Sequence, residues 1–379
     1  MPLYHTEDQA MLADSVTGFM ADEGGIKKQM RHWRDTNCKD GFGHGLWKQF
    51  AEMGLTGMLA AEADGGLAMG HVEAGIVLAE IGRNLTPSPF LTTSVMGVTA
   101  LSGGSADLRG RWLPGVIAGE TVLAVAVDEG AKHRPERIAC RAERAGNGFR
   151  LSGKKDFVVQ GASADALIVA ARTAGNDGDV DGVTLFAVPK DAVGITHNSV
   201  RLVDSAMASH VTFDGVELDG DCVIGEVDGG RELLNTVLRA GRIGAAAEQT
   251  GVAAGAFGMT TTYLKTRKQF GKLIGEFQAL QHRAAHLYSE IEIAEALVLK
   301  AQQLLDGGSE RAELMVCAAK AKAARVCNLA VREGVQMHGG VGMTDEYDIG
   351  LYMKRERALT EFMGDANYHA ERVAQLSGY

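Results

Sequence analysis

Arg267 and Phe270 lie three residues apart in Tyr263-Leu264-Lys265-Thr266-Arg267-Lys268-Gln269-Phe270-Gly271, and their types suit a charged, flat ligand. Arginine offers a planar, permanently charged fork to a phosphate. The spacing predicts that Phe270 shares a helical face with Arg267 and adds an apolar ring there. Gly271 allows the helix to end. Phe277-Gln278 follows, and a second signal, Gln336-Met337-His338-Gly339-Gly340-Val341-Gly342, lies downstream. Glycines let backbone N–H groups approach a phosphate closely. A cation, a flat apolar surface and a nearby amide suit a dinucleotide with a pyrophosphate and a ring system.

The elements that must position these residues read as three segments. Residues 1–118 are helical in pattern: Thr6 and Gln9 form a capping box, Leu12, Val16 and Phe19 recur at helical spacing, and a helix predicted over about 70–82 turns Val72, Ile76 and Leu78 inward. Arg111-Trp112-Leu113-Pro114 reads as a helix end. Residues 119–225 change period. Val122–Val127, Ala166–Ala171 and Val183–Val188 read as buried strands, and Ser152-Gly153 and Asp214-Gly215 read as turns, so this segment is a small β-barrel or sandwich. Residues 226–379 are helical again. A run from Arg231 to Arg267 is heavy in Ala and Gly and permits close helix approach; Gln278–Asp306 carries Leu280, Ala284, Leu287, Ile291, Ala294, Val298 and Ala301 on one stripe. With Glu310–Met337 and a last helix within 347–376, this is an up-down four-helix bundle. The fold class is α+β.

With 379 residues, 46% hydrophobic and 23% charged, the chain has the balance of a soluble globular protein with an ample core. A net charge of -10 argues against nucleic acid as a partner. Five cysteines, Cys38, Cys140, Cys222, Cys317 and Cys327, are scattered without a paired motif and read as free thiols, with Cys317 and Cys327 in the core rather than on a metal. The N-terminus lacks a basic segment followed by an apolar one, and no apolar run approaches the roughly 18 residues that span a membrane. These features place the chain in the cytoplasm, with no metal and no membrane.

The two motifs, in this order and spacing, resemble those of the acyl-CoA dehydrogenase flavoproteins, and the resemblance spans nearly the whole chain. It implies FAD as cofactor. Arg267, Gln269, Phe270 and Gln278 match positions that hold FAD, in part the FAD of a neighbouring subunit. Gln336, Met337, Gly339 and Gly340 match a second FAD loop, and Asn367 a further contact. Phe157 and Val159 align with a flavin-facing Trp-x-Thr, although Val159 brings no hydroxyl. The family's acidic-Pro-Gly-x-Gly-Ser-Asp loop aligns with Asp128-Glu129-Gly130-Ala131-Lys132, without the Ser-Asp. The resemblance implies an acyl-CoA substrate, an electron-transfer flavoprotein or similar acceptor, and a tetramer, either of one chain or of this chain with a paralogous subunit.

The reaction implied is removal of two hydrogens from an acyl-CoA thioester, in which a carboxylate takes the α-proton. Most of the family carries that carboxylate where this chain has Met363; a minority carries it beside an Arg, where this chain has Gly241 next to Arg242. Neither residue is an acid. Asp365 is the chosen base, since Gly364 allows the backbone to present it, and Arg242 is assigned to an acyl-CoA contact or to orienting the base. Segments like Met363–His369 occur in a bacterial branch that includes sterol side-chain dehydrogenases, some assembled from two different subunits with the base on one. Two alternatives therefore stand beside a self-sufficient dehydrogenase. One is a half-site subunit of a heterotetramer. The other is a flavin-dependent monooxygenase of the same fold, with His338 or His369 near the flavin.

Overall fold

The computed structural model describes residues 3–379. Among the described residues, six α-helices precede the first strand: α1 (Glu7–Phe19), α2 (His32–Asp35), α3 (His44–Glu52), α4 (His71–Asn84), α5 (Val98–Ser102) and α6 (Ala106–Ile117). Thr6 and Gln9 form the expected capping box on α1. Pro114 lies inside α6 rather than ending it, and the helix continues to Ile117.

The β-region runs β1 (Leu123–Ala126), β2 (Arg141–Ala145), β3 (Gly148–Val159), β4 (Ala166–Arg172), β5 (Val183–Pro189), β6 (Ile195–Arg201), β7 (Met207–Leu218) and β8 (Val223–Ile224). They form one eight-stranded sheet in the order β6-β7-β3-β2-β4-β5-β8, with β1 parallel to β4. The two expected turns in it are bulges instead. Ser152-Gly153 lies inside β3 and Asp214-Gly215 inside β7. The two interruptions face each other, because the register passes from Leu151↔Val216 to Gly153↔Phe213, so two residues of β7 oppose one of β3. Gly153, with φ 144°, lies so close to Cys140 that an added Cβ would stand 2.8 Å from its Cα. A local glycine signal thus marks a bulge and a close approach rather than a chain reversal.

The C-terminal helices are α7 (Arg231–Thr266), α8 (Gln278–Asp306), α9 (Ala312–His338), α10 (Ile349–Glu361) and α11 (Ala366–Leu376). The expected last helix is split into α10 and α11. Two compact units divide the chain: one holds residues up to His32, His71–Thr86 and Arg242–Tyr379, the other Trp33–Gly70 and Pro87–Gly241. The N-terminal helices are shared between the two units.

In the first unit the glycines of α7 do the work expected of them. A Cβ added at Gly251 would lie 1.9 Å from the Ala79 carbonyl oxygen, and one at Gly82 2.1 Å from that of Glu248, so α4 and α7 touch backbone to backbone. Gly251→Ala is expected to lower stability by about 3 kcal/mol, because neither backbone can move without unpacking the crossing. Gly258→Ala, on the same helix with nothing within 4 Å, is expected to be neutral or to stabilise by up to ~1 kcal/mol. Denaturant midpoints of the two variants check the contrast.

Candidate functional site

The helix ends that carry the motif residues meet in the first unit. Leu264, near the end of α7, packs with Ile274 and Met337 in a small cluster that Tyr263, Phe277, Leu280 and Ala284 cover. Tyr263 stacks on His338 at 4.4 Å between ring centroids, which joins the last turn of α7 to the last residue of α9. These contacts bring the end of α7, the start of α8 and the end of α9 to one end of the helical layer.

Arg267 and Phe270 do not share a helical face. Helix α7 ends at Thr266, and the chain turns back as a short hairpin, β9 (Lys268–Gln269) with β10 (Lys272–Leu273). Phe270 (φ 52°) and Gly271 (φ 81°) form its two-residue turn, the pattern of a type I′ reversal. The Arg267 carbonyl accepts from the Ile274 N–H at 2.9 Å and closes the base of the hairpin. Phe270 is thereby held at the tip, 92% exposed, with its ring edge-on to Phe277. A bulky aromatic residue in the left-handed region is an outlier.

The other candidates on this unit are open to solvent. Arg267, Gln269, Gln278 and Gln336 are exposed, and Gln278 begins α8. Among the described residues the Arg267 guanidinium has no ion-pair partner. Gly339 adopts φ 66° and ψ -144°, a combination glycine alone holds without strain, and its N–H donates to the Gln336 carbonyl. A Cβ added at Gly339 or Gly340 would meet nothing within 4 Å. Met337 is buried, packed with Leu264 and Ile274. An exposed arginine, an exposed ring and an open glycine backbone fit the phosphate and nucleotide end of FAD.

The flavin-ring candidates belong to the second unit and fit less completely. Phe157 sits in the second bulge of β3, where Lys155↔Val211 passes to Val158↔Ser209, and has φ 54°. Val159 pairs with Ala208 and presents an isopropyl group where a hydroxyl would serve.

The base positions are closed by the fold. Met363 is buried, with φ 60°. Its carbonyl accepts from Nε2 of the fully buried His369 at 2.9 Å. Lys320, also fully buried, donates to the Leu359 carbonyl at 2.9 Å and to Gln249 Oε1 at 3.2 Å, so it satisfies the end of α10 just before this turn. Burial lowers its pKa to about 8. Asp365 is the N-cap of α11: its Oδ1 accepts from the N–H groups of Asn367 at 3.0 Å and Tyr368 at 2.8 Å. Glu361 pairs with Arg357 at 2.8 Å. In the second unit, a side chain grown at Gly241 would start 2.8 Å from the Met96 sulfur.

Arg242 is 4% exposed and faces a carboxylate that sequence reading missed. It donates to Glu313 Oε1 at 3.1 Å and to the Tyr368 hydroxyl at 3.3 Å. Glu313 lies 71 residues away at the start of α9, and no local pattern signals the pair. Cys317 lies beside it, its thiol pushed up to about 12 by burial. His338 is likewise occupied, with Nδ1 donating to the Gly334 carbonyl at 2.7 Å and the ring in the Tyr263 stack. No helix of the described residues is long and apolar enough to cross a membrane.

Comparison with known proteins shows the family. Models of the acyl-CoA dehydrogenase N-terminal, middle and C-terminal domains match residues 6–120, 128–216 and 228–377. The acyl-CoA dehydrogenase FadE12 of Mycobacterium tuberculosis is 29% identical over 362 residues, 93% of this chain and 91% of that one. Cyclohex-1-ene-1-carbonyl-CoA dehydrogenase of Geobacter metallireducens is 29% identical over 326 residues, 84% of this chain and 85% of that one. Among solved structures, a variant of the Tcur3481-Tcur3483 steroid ACAD superposes with a TM-score of 0.88 at 29% identity over 98% of both chains.

Proposed function

The chain belongs to the acyl-CoA dehydrogenase family, an FAD-dependent oxidoreductase family, and from that premise we propose that it acts as the half-site subunit of a two-chain enzyme. It holds the nucleotide end of an FAD through Arg267, Gln269, Phe270, Gln278, Gln336, Gly339 and Gly340. A paralogous subunit supplies the carboxylate that takes the α-proton of the acyl-CoA. FAD, when bound, supplies the hydride acceptor for the β-hydrogen. The observation that carries the reading is an asymmetry. The nucleotide-end residues are exposed and unobstructed, whereas Met363 and Gly241 stand at the two base positions, one buried and one crowded by Met96. Asp365 serves in this reading as a helix cap, and Arg242 holds Glu313.

The substrate we propose is an acyl-CoA with a cyclic or bulky acyl group, since two relatives at 29% identity are named for a steroid and for a cyclohexene carbonyl thioester. The acceptor we propose is an electron-transfer flavoprotein. The test is to purify the chain alone and with its paralogous subunit and record flavin absorbance near ~450 nm. The expected result is little flavin on the chain alone, retention by the pair, and anaerobic bleaching of the pair by acyl-CoA. Asp365→Asn should bleach at the wild-type rate, because Asn caps a helix as well as Asp. A lone chain that retains flavin and bleaches would make it self-sufficient, and slow bleaching by Asp365→Asn would return the base role to that residue.

A further inference from the structure

We propose that the groove between α1, α4 and α8 binds an elongated organic cation, an amine with a neutral polar group at its far end. The cavity, about 360 Å³, lies wholly within the first unit. That volume is within the range of small-ligand sites, roughly 300–1,000 Å³. Val72, Ile76 and Ala79 of α4 recur along it at helical spacing, and Leu299 of α8 adds to this apolar wall. Leu3 and Tyr4 line its outer side, 56% and 70% exposed.

Two polar side chains of α8 line this cavity without partners. Gln302 is 4% exposed, and its amide makes no hydrogen bond among the described residues. Its Nε2 stands 1.8 Å from the place a Cβ would take on Gly75, so α4 carries a glycine where the amide meets it. A buried amide left unpaired is costly, and a polar group on a ligand removes that cost. Glu295 also lines the cavity, with neither a hydrogen bond nor an ion pair among the described residues. Burial first, and then the Glu292 carboxylate, pushes its pKa up, and Arg83 offsets only part of this. Glu80, another carboxylate of the lining, is held by Arg83 at 2.9 Å, so that guanidinium is already committed. An ammonium beside Glu295 supplies the counter-charge that the fold leaves out. Glu295 and Gln302 are seven residues apart, two turns along one helix face. At 1.5 Å per residue that spacing puts about 10 Å between the acid and the amide. An acid at one end, an amide at the other and aliphatic side chains between them favour an amine with an aliphatic body and a polar tail. They disfavour a carboxylate, a phosphate or a pure hydrocarbon.

The inference goes beyond the half-site reading and rests on residues of the first unit alone. The experiment is a ligand-observed NMR titration of the full chain, in about 50 mM salt and to about 10 mM ligand, since so small a ligand does not bind tightly. The probes are ω-aminohexanol, hexylamine, hexanol and ω-hydroxyhexanoate. The amino alcohol is expected to bind, hexylamine about three- to tenfold more weakly, and hexanol and the carboxylate not at all. Glu295→Gln should weaken the amino alcohol at least about tenfold and Gln302→Leu about three- to tenfold. Glu310→Gln, the same charge change beyond the end of α8, should alter it less than about twofold. Glu295→Gln should unfold at a denaturant concentration no lower than the wild type, because the carboxylate it removes has no partner; lost binding is then not lost fold. Hexanol or ω-hydroxyhexanoate binding as tightly as the amino alcohol, no binding of the amino alcohol at all, or a Glu295→Gln without effect would overturn the proposal. Flavin retention and bleaching by the two-chain enzyme would survive any of these results, so the two readings fail separately.

Discussion

Arg267→Ala in the two-chain enzyme should weaken FAD binding about 10- to 100-fold and leave the fold intact. The guanidinium is exposed and has no ion-pair partner among the described residues, so its removal costs the protein nothing it can measure. What is lost is a charge-assisted contact to phosphate, worth about 1.5–3 kcal/mol. Phe270 gives a sharper separation of structure from ligand. An aromatic side chain 92% exposed and at φ 52° contributes no burial and carries backbone strain. Phe270→Gly should raise stability by up to ~1 kcal/mol, since glycine suits a type I′ turn, while it weakens FAD binding. Denaturant melts and titration of apoenzyme with FAD read the two effects independently. A Phe270→Gly variant that binds FAD at full strength would leave the strained ring without a purpose and remove the main support for the nucleotide-end assignment.

The long elements were legible because burial repeats at helical spacing. The limits of α7 and α8 are within a residue of those expected, and Leu287, Ile291, Ala294, Val298 and Ala301 are the buried stripe of α8. What failed were short signals with two physical meanings. Glycine after serine or aspartate marks a turn or a bulge, and only pairing with a distant strand decides which; here Gly153 and Gly215 are bulges. Phe270-Gly271 is a hairpin turn that a helical reading absorbed, because the end of α7 at Thr266 carries no glycine or proline. Met363-Gly364-Asp365 contains an ordinary helix stop and start, glycine then aspartate, which the search for a base obscured. Pairs such as Arg242–Glu313 and Lys155–Glu129 link residues far apart in sequence or on different elements, and no single-sequence pattern signals them.

Arg172 is a further buried cation of that kind, and its loss should be the most destabilising single change in the second unit. It is 1% exposed, and its guanidinium faces backbone oxygens rather than a carboxylate. It donates to the carbonyls of Ile138 at 2.8 Å, Ala174 at 3.2 Å, Asp181 at 3.0 Å and Asp179 at 3.1 Å. Four carbonyls from two loops thus converge on one planar fork. Arg172→Ala removes every donor at once, leaves the carbonyls unsatisfied and opens a cavity; the expected loss is about 3–5 kcal/mol. Arg172→Lys should recover less than half, because an ammonium has three donors and no fork. Arg150→Ala is the control: its pair with Glu217, at 3.4 Å on the exposed face of β3, should be worth about 0–1 kcal/mol. Because Arg172 ties Ile138 to the 174–181 connection, its loss should also loosen both loops. Denaturant unfolding of the two variants checks the contrast, and an Arg172→Ala variant as stable as Arg150→Ala would mean that water replaces the guanidinium without cost.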